Sequence, residues 1–119
     1  MSLSDKTVRS WLDVLTGTFM VRQLQPWFAN VDKRQVKSPK VYLGDPGLLC
    51  HLLNLDATTL LGSPYLGAVW ETLLFAEMRK QITAQALRCD VYYYRDQRAR
   101  EVDFVLDSGA AGSFQLCDL

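Results

Sequence analysis

The stretch REVDFVLD, residues 100–107, decides the fold, because its pattern is that of a half-buried β-strand. Its apolar residues alternate along one face: Val102, Phe104 and Leu106. Glu101 and Asp103 lie between them, although both residue types are depleted in strands. Val105 shares their face, which is therefore neither regular core nor plain solvent surface. We interpret this strand face either as a solvent-exposed face with ordinary charges or as the lining of a cleft, where carboxylates can be catalytic.

Two further strands flank this stretch in the sequence. CDVYYYRD predicts a strand over residues 91–95, DQRA predicts the turn that follows it, and SFQLCDL begins a third strand. A long helix is predicted before them, over residues 67–87. The order is therefore helix, strand, strand, strand, which is an α+β arrangement.

The predicted long helix carries an acid among its apolar residues. Three of these form a narrow stripe at helical spacing: Phe75, Met78 and Ile82. Glu71 projects into the middle of that stripe, where a carboxylate needs a partner such as an arginine, backbone donors or a metal ion. Because Glu71 also lies near the helix start, where the helix dipole favours a negative charge, a structural and a functional role both stay open.

The N-terminal part predicts a helix followed by two strands. SDKTVRSWLDVLTG begins with Ser4 or Asp5 as N-cap and ends at Gly17 in the left-handed cap position. Its apolar stripe consists of Val8, Trp11, Leu12 and Leu15. TFMVRQLQPWF and KVYLGD then predict strands on either side of the basic segment NVDKRQVKSPK. Helix, strand, basic tip and strand form the back half of a winged helix. A further helix is predicted to begin at Pro46, after the N-cap Asp45.

Charge is unevenly distributed along the chain. Residues 1–45 carry seven Lys or Arg against four Asp or Glu, a net charge of +3, whereas residues 46–119 carry six against nine, a net charge of −3. A basic first part indicates a weak nucleic-acid or partner surface, and an acidic second part is compatible with a cation site. The candidate DNA-contacting residues are Arg22, Lys33, Arg34, Lys37 and Lys40. A basic loop that is merely well solvated has the same composition, so both interpretations stay open.

Composition narrows the class of protein. Of the 119 residues 49 % are hydrophobic, which is enough for a packed core and too many for a disordered chain. No apolar run approaches the roughly 20 residues of a membrane span, and the N-terminus has no signal-peptide pattern. One histidine, His51, and three scattered cysteines predict neither a disulfide framework nor a zinc site. We therefore expect a cytoplasmic protein without a membrane partner.

The element order, together with its acids, resembles the core of the PD-(D/E)XK nucleases. That resemblance implies that Glu71 is the helical acid, Asp103 the strand acid and Asp118 the first residue of the (D/E)-x-K motif. It also implies that these three carboxylates are catalytic and bind Mg²⁺, which activates water for phosphodiester hydrolysis. Leu119 would be the middle residue of the motif, and its lysine would come next, so the nuclease-like core is truncated in this sequence.

A second resemblance covers nearly the whole chain. It rests on four stretches in order: SDKTVRSWLDVL, SPKVYLGDPGLL, GAVWETLLFAEM and YYYRDQRAREVDFVLD. They resemble the C-terminal region of predicted bacterial and archaeal AAA-type ATPases, a domain of unknown function. The resemblance implies an upstream ATPase domain that binds ATP, since this chain has no GxxxxGK[ST] motif. It further implies an incomplete winged-helix segment over residues 1–45 and a truncated nuclease-like core over residues 46–119.

Three functions follow as alternatives. The first is a Mg²⁺-dependent nuclease acting on DNA, with the fragment itself inactive. The second is a non-catalytic interaction or regulatory module of the ATPase, and the third is a DNA-binding winged helix. If a metal ion holds Asp103, Asp103→Asn leaves the metal-free fold intact, whereas a structural salt bridge predicts a loss of stability. We expect Glu101 to pair with Arg98 or Arg100 instead of a metal.

Overall fold

The structure, a computed structural model, describes residues 3–28, 38–109 and 114–117, the last four as backbone only. Its helices are α1 (Asp5–Gly17), α2 (Pro46–Leu52) and α3 (Leu66–Ala84). Its strands are β1 (Val21–Leu24), β2 (Lys40–Leu43), β3 (Asp90–Arg95), β4 (Glu101–Asp107) and β5 (Phe114–Cys117). The α+β class is therefore confirmed. Within the described ranges, no helix has the length and apolar character needed to cross a membrane.

Two helix starts follow directly from their capping residues. The Ser4 hydroxyl accepts a hydrogen bond from the Thr7 N–H at 3.2 Å, which satisfies a donor at the start of α1. The Asp45 carboxylate accepts from the Gly47 N–H at 2.7 Å, and a proline occupies the first turn of α2. Both helices therefore begin where the sequence predicts.

The end of α1 differs from the prediction. Gly17 is still helical, and the positive φ occurs two residues later, at Phe19 with φ of 63°. A side chain in this left-handed region costs roughly 1–2 kcal/mol. The sequence predicts Gly17 as the residue with left-handed backbone after the helix. That prediction was wrong, because the exposed Phe19 occupies this position.

The acids of interest lie on the central strand of a three-stranded sheet. β3, β4 and β5 lie in that order, and each neighbouring pair is antiparallel. The register between β3 and β4 shifts between Tyr92 and Tyr94, so that Asp103 and Phe104 together oppose Tyr93. This is the geometry of a β-bulge, which bends a strand locally and changes the direction of its side chains. The bulge therefore lies at Asp103, the residue that the nuclease resemblance implies to be the strand acid.

The turn between β3 and β4 is held by one carboxylate. Asp96 accepts hydrogen bonds from the N–H groups of Arg98 and Arg100, both at 2.9 Å. The Arg100 backbone hydrogen bond is the main reason that the pKa of Asp96 lies below its ordinary value. Ala99 completes the turn with φ of 59°, in the left-handed region. These contacts fix the point at which β4 begins.

Two compact units make up the chain, each built from two separate stretches. The first unit contains Met1–Gln23 and Val41–Ala76, and the second contains Leu24–Lys40 and Glu77–Leu119. The largely buried residues of the first unit are Val21, Tyr42, Val69, Thr72, Phe75 and Ala76. Those of the second unit are Leu24, Pro26, Ile82, Tyr93, Phe104 and Val105. β3, β4 and β5 belong entirely to the second unit.

Candidate functional site

The face of β4 that carries the acids is partly enclosed. Phe104 is fully buried and Val105 is 3 % exposed, so both faces of β4 are covered near the middle of the strand. The side chains of Glu101 and Asp103 are 36 % and 17 % exposed. The expectation that this face is neither core nor open surface is confirmed, and Asp103 is the more enclosed of the two acids.

A single ammonium group contacts both acids. The Lys40 Nζ atom lies 2.8 Å from Glu101 Oε1 and 3.8 Å from Asp103 Oδ1. Lys40 is the first residue of β2, and its side chain is 23 % exposed. Because the shorter contact is also a hydrogen bond, Glu101 is the main partner and Asp103 the secondary one. The two carboxylates are therefore bridged by a cation from the protein itself.

A second cation reaches Glu101 across the hairpin. Arg95 is the register partner of Glu101, and its Nη2 atom lies 3.2 Å and 3.3 Å from the two carboxylate oxygens. The expected pairing with Arg98 or Arg100 was wrong, because Asp96 takes the Arg100 guanidinium at 2.9 Å. Opposite charges on paired strand residues are a normal source of sheet stability.

The two cations change how Glu101 ionises. The hydrogen bond from Lys40 is the largest influence, and it lowers the pKa of Glu101. Burial opposes this change, whereas the charge of Lys40 and the contact with Arg95 add to it. The carboxylate therefore stays ionised to a lower pH than an ordinary glutamate, which is the behaviour of an ion-paired acid.

Tyr93 positions the segment that delivers Lys40. Its hydroxyl donates to the Ser38 carbonyl at 2.8 Å, and its ring centroid lies 5.0 Å from the Lys40 ammonium. Its backbone N–H donates to Gln25 at 3.1 Å, and its carbonyl accepts from the Trp27 N–H at 2.7 Å. These hydrogen bonds attach both ends of the 25–40 segment to β3, and Tyr93 itself is only 6 % exposed. We name Lys40, Tyr93, Arg95, Glu101 and Asp103 the lysine–carboxylate cluster.

Glu71 lies in the first unit and has a hydrogen-bond partner within that unit. The buried Tyr42 hydroxyl donates a hydrogen bond to Glu71 Oε1. The Tyr42 ring also packs against Phe75, with ring centroids 4.9 Å apart. Glu71 is half-buried on α3, as its place on the apolar stripe predicts. The sequence did not indicate a tyrosine as its partner.

The predicted magnesium ligands are distributed between the two units and the undescribed part of the chain. Glu71 is in the first unit and Asp103 in the second, and Asp118 lies outside the described residues. Across residues 3–28 and 38–109, no three His, Cys, Asp or Glu side chains are grouped to hold a metal ion. At the lysine–carboxylate cluster two acids share an ammonium, and magnesium binding at Asp103 stays a prediction.

The predicted DNA-contacting residues have mixed outcomes. Lys33, Arg34 and Lys37 lie outside the described residues. Arg22 lies on β1 and is half-buried. Lys40 belongs to the lysine–carboxylate cluster, so its charge already has protein partners. A DNA contact by this segment stays a prediction.

A separate cavity of about 730 Å³ lies within the second unit, at the end of α3. Its charged lining residues are Arg79, Arg88, Asp90 and Asp107. Asp90 and Asp107 are register partners on β3 and β4. Two positive and two negative groups give the cavity no preference for an anion or a cation. Neither Glu71 nor Asp103 lines it.

The cysteines and the histidine form no site in the described structure. Cys50 and Cys89 are free thiols, and burial raises the pKa of Cys89. His51 is exposed in the last turn of α2. The raised pKa keeps the Cys89 thiol protonated and hence less reactive.

Comparisons with known proteins find two similar relatives and two matched families. An uncharacterized protein of Mycobacterium tuberculosis (strain ATCC 25618 / H37Rv) and one of Mycobacterium bovis (strain ATCC BAA-935 / AF2122/97) are each 39 % identical over 118 residues. The match covers 98 % of this chain and 26 % of each relative, so the chain spans about a quarter of their length. No solved structure matches the chain significantly. Residues 1–59 match the family described as Domain of unknown function (DUF8612), and residues 66–114 match Domain of unknown function (DUF4143).

Proposed function

We propose that this chain is a non-catalytic interaction or regulatory module of a larger AAA-type ATPase. The supporting observation is the surface of α1. Its amphipathic sequence predicts a buried stripe, yet none of its residues is buried. Its exposed large apolar residues are Val8, Trp11, Val14 and Leu15. A contiguous apolar surface of this kind on one helix is typical of a protein–protein contact.

The proposed occupant of this surface is another part of the same polypeptide. The curated relatives are about four times as long as the stretch that matches this chain. The resemblance to AAA-type ATPases implies that the remainder includes an ATPase domain that precedes this region. Trp11 is 55 % exposed and is the largest side chain on α1, so it is the residue expected to contribute most to such a contact.

The test compares the full-length protein with the 119-residue chain. The double variant Trp11→Ser, Leu15→Ser should lower the thermal stability of the full-length protein by several degrees. In the isolated chain the same change should alter the free energy of unfolding by less than about 0.5 kcal/mol, because both residues are already exposed. Leu61→Ser, at a 78 % exposed position outside α1, is the matched control. Equal effects of the double variant in both proteins would exclude the proposed contact.

A second candidate is metal-dependent hydrolysis of DNA phosphodiesters. It is supported by the half-buried Asp103 at the β-bulge, beside a second acid and an ammonium. Acids and a lysine are the residue types that the nuclease resemblance requires, although it places the lysine directly after Leu119, whereas Lys40 comes from β2. The candidate also needs Glu71 and Asp118, whose relation to this face stays a prediction.

This candidate is tested with full-length protein and duplex DNA. Mg²⁺-dependent cleavage should be abolished by Asp103→Asn and retained in Glu77→Gln, whose acid lies on α3 in an exposed pair with Lys80. Absence of cleavage by the unmodified protein with Mg²⁺ or Mn²⁺ would exclude this candidate. Cleavage that survives Asp103→Asn removes this strand from the active site.

A further inference from the structure

We propose that Lys40 is the built-in counter-ion of Glu101 and Asp103, and that its ammonium excludes divalent cations from this pair of carboxylates. The inference goes beyond the proposed interaction module and does not depend on it, and it opposes the metal-dependent candidate, which needs a divalent cation at Asp103. The face was expected from the sequence to hold a magnesium ion. The structure places a protein cation there instead, 2.8 Å from one acid and 3.8 Å from the other.

The position of this ammonium is fixed by more than its two ion pairs. The ring of Tyr93 lies 5.0 Å from Lys40 Nζ, within the range of a cation–π contact. The Tyr93 hydroxyl holds the chain two residues before Lys40, through the Ser38 carbonyl at 2.8 Å. Because the ring and the backbone constrain the ammonium together, displacing Lys40 costs more than breaking one surface salt bridge.

Charge explains why a metal ion and Lys40 compete. Glu101 and Asp103 carry two negative charges, and Lys40 and Arg95 already supply two positive charges. A divalent ion bound at the two acids would stand beside the Lys40 ammonium, and the two cations would repel each other in a partly buried site. Removal of the ammonium takes away the positive charge that contacts both acids and leaves their hard oxygen ligands, which favours binding of Mg²⁺, Ca²⁺ or Mn²⁺.

The experiment measures cation binding to the whole chain and three of its variants. Thermal unfolding is followed with and without about 10 mM Mg²⁺ or Ca²⁺, since a cation that binds the folded state raises the unfolding temperature. The unmodified chain and Lys40→Arg should show no cation-dependent shift. Lys40→Met should gain a shift of several degrees, and Lys80→Met, which removes an exposed partner of Glu77, should gain none.

A direct readout locates the cation. Mn²⁺ should broaden the amide NMR signals of Glu101 and Asp103 in both proteins. The Mn²⁺ concentration needed should be about tenfold lower, or lower still, in Lys40→Met than in the unmodified chain. If Lys40→Met is unfolded without metal, Ca²⁺ should restore its folding. Lack of any cation effect in Lys40→Met, folded or not, overturns the proposal. So does an unmodified chain that binds cations as tightly as the variant. The α1 variants, by contrast, test the interaction module without involving Lys40.

Discussion

Lys40 and Glu101 are 61 residues apart in the sequence, and their side chains are joined by a hydrogen bond of 2.8 Å. The contact connects the start of β2 with the start of β4 inside the second unit. It makes Glu101 and Asp103 of REVDFVLD members of an ion-pair cluster. The consequences can be tested with single substitutions.

Asp103→Asn should destabilise the protein. The substitution removes the charge that faces Lys40 at 3.8 Å, and the loss should be about 0.5–1.5 kcal/mol for a partly buried pair. Equilibrium urea unfolding measures it, with Glu77→Gln as the control in an exposed pair. A stabilising Asp103→Asn would mean that repulsion between the acids outweighs the ion pair, as the metal hypothesis expects.

Tyr42→Phe should destabilise the first unit. The change keeps the ring that packs on Phe75 and removes the hydroxyl that donates to Glu71, at an expected cost of about 1–2 kcal/mol. Chemical unfolding followed by tryptophan fluorescence measures the effect. The double variant with Glu71→Gln tests the coupling, because the second change should cost less once the hydroxyl is gone. Fully additive losses would show that the hydrogen bond contributes little.

Stability should fall in acid partly through Glu101. Its pKa in the folded protein is below the ordinary value of 4.5, so its stabilising contribution is present above about pH 4.5 and is lost as the pH falls through the lower folded value. Glu101→Gln should therefore flatten the dependence of unfolding free energy on pH in that window. An unchanged acid dependence would contradict the ion-pair geometry.

A matched variant separates this effect from another acid. Hydrogen bonds from Thr58 and Thr59 lower the pKa of Asp56 to about 2, with the Thr58 hydroxyl contributing most. The contribution of Asp56 to the unfolding free energy is therefore lost over a pH range that extends down to about pH 2. Asp56→Asn should change that lower range and leave the effect of Glu101→Gln unaltered.

Ala99→Gly should stabilise the β3–β4 hairpin. Ala99 has φ of 59°, which a glycine adopts without steric cost. The relief is partly offset by the greater freedom of glycine in the unfolded chain, so the expected gain is about 0.5–1 kcal/mol. Thermal unfolding measures it. Ala84→Gly, in the last position of α3, is the control and should destabilise.

DNA binding, if it occurs through the basic segment, should depend strongly on salt. Apparent affinity should fall by about 0.9 log units per phosphate contact for each log unit of salt. Charge reversal at Lys33 and Arg34 should weaken binding to any duplex about equally. A flat salt response of the full-length protein would exclude this surface.

The local elements were predictable from the sequence, whereas the contacts of the site were not. The strand β4 was predicted from alternating apolar residues, and the start of α2 was predicted from its N-cap Asp45. Each pattern involves only a few neighbouring residues, and both predictions are confirmed. Lys40, a partner of Glu101, and Tyr42, a partner of Glu71, lie 61 and 29 positions away from these acids, and no spacing rule connects such distances. The bulge at Asp103 likewise depends on how two strands pair, which neither strand determines alone.

The way the two units share the chain has a consequence for folding during synthesis. The second unit needs Leu24–Lys40, yet its sheet lies after Glu77, and the first unit is completed only at Ala76. During synthesis, the segment that carries Lys40 leaves the ribosome before β3 and β4. It can therefore contact Tyr93 only after these strands have also emerged. A cut between the two matched families separates Lys40 from its acids. Neither half should fold normally when expressed by itself.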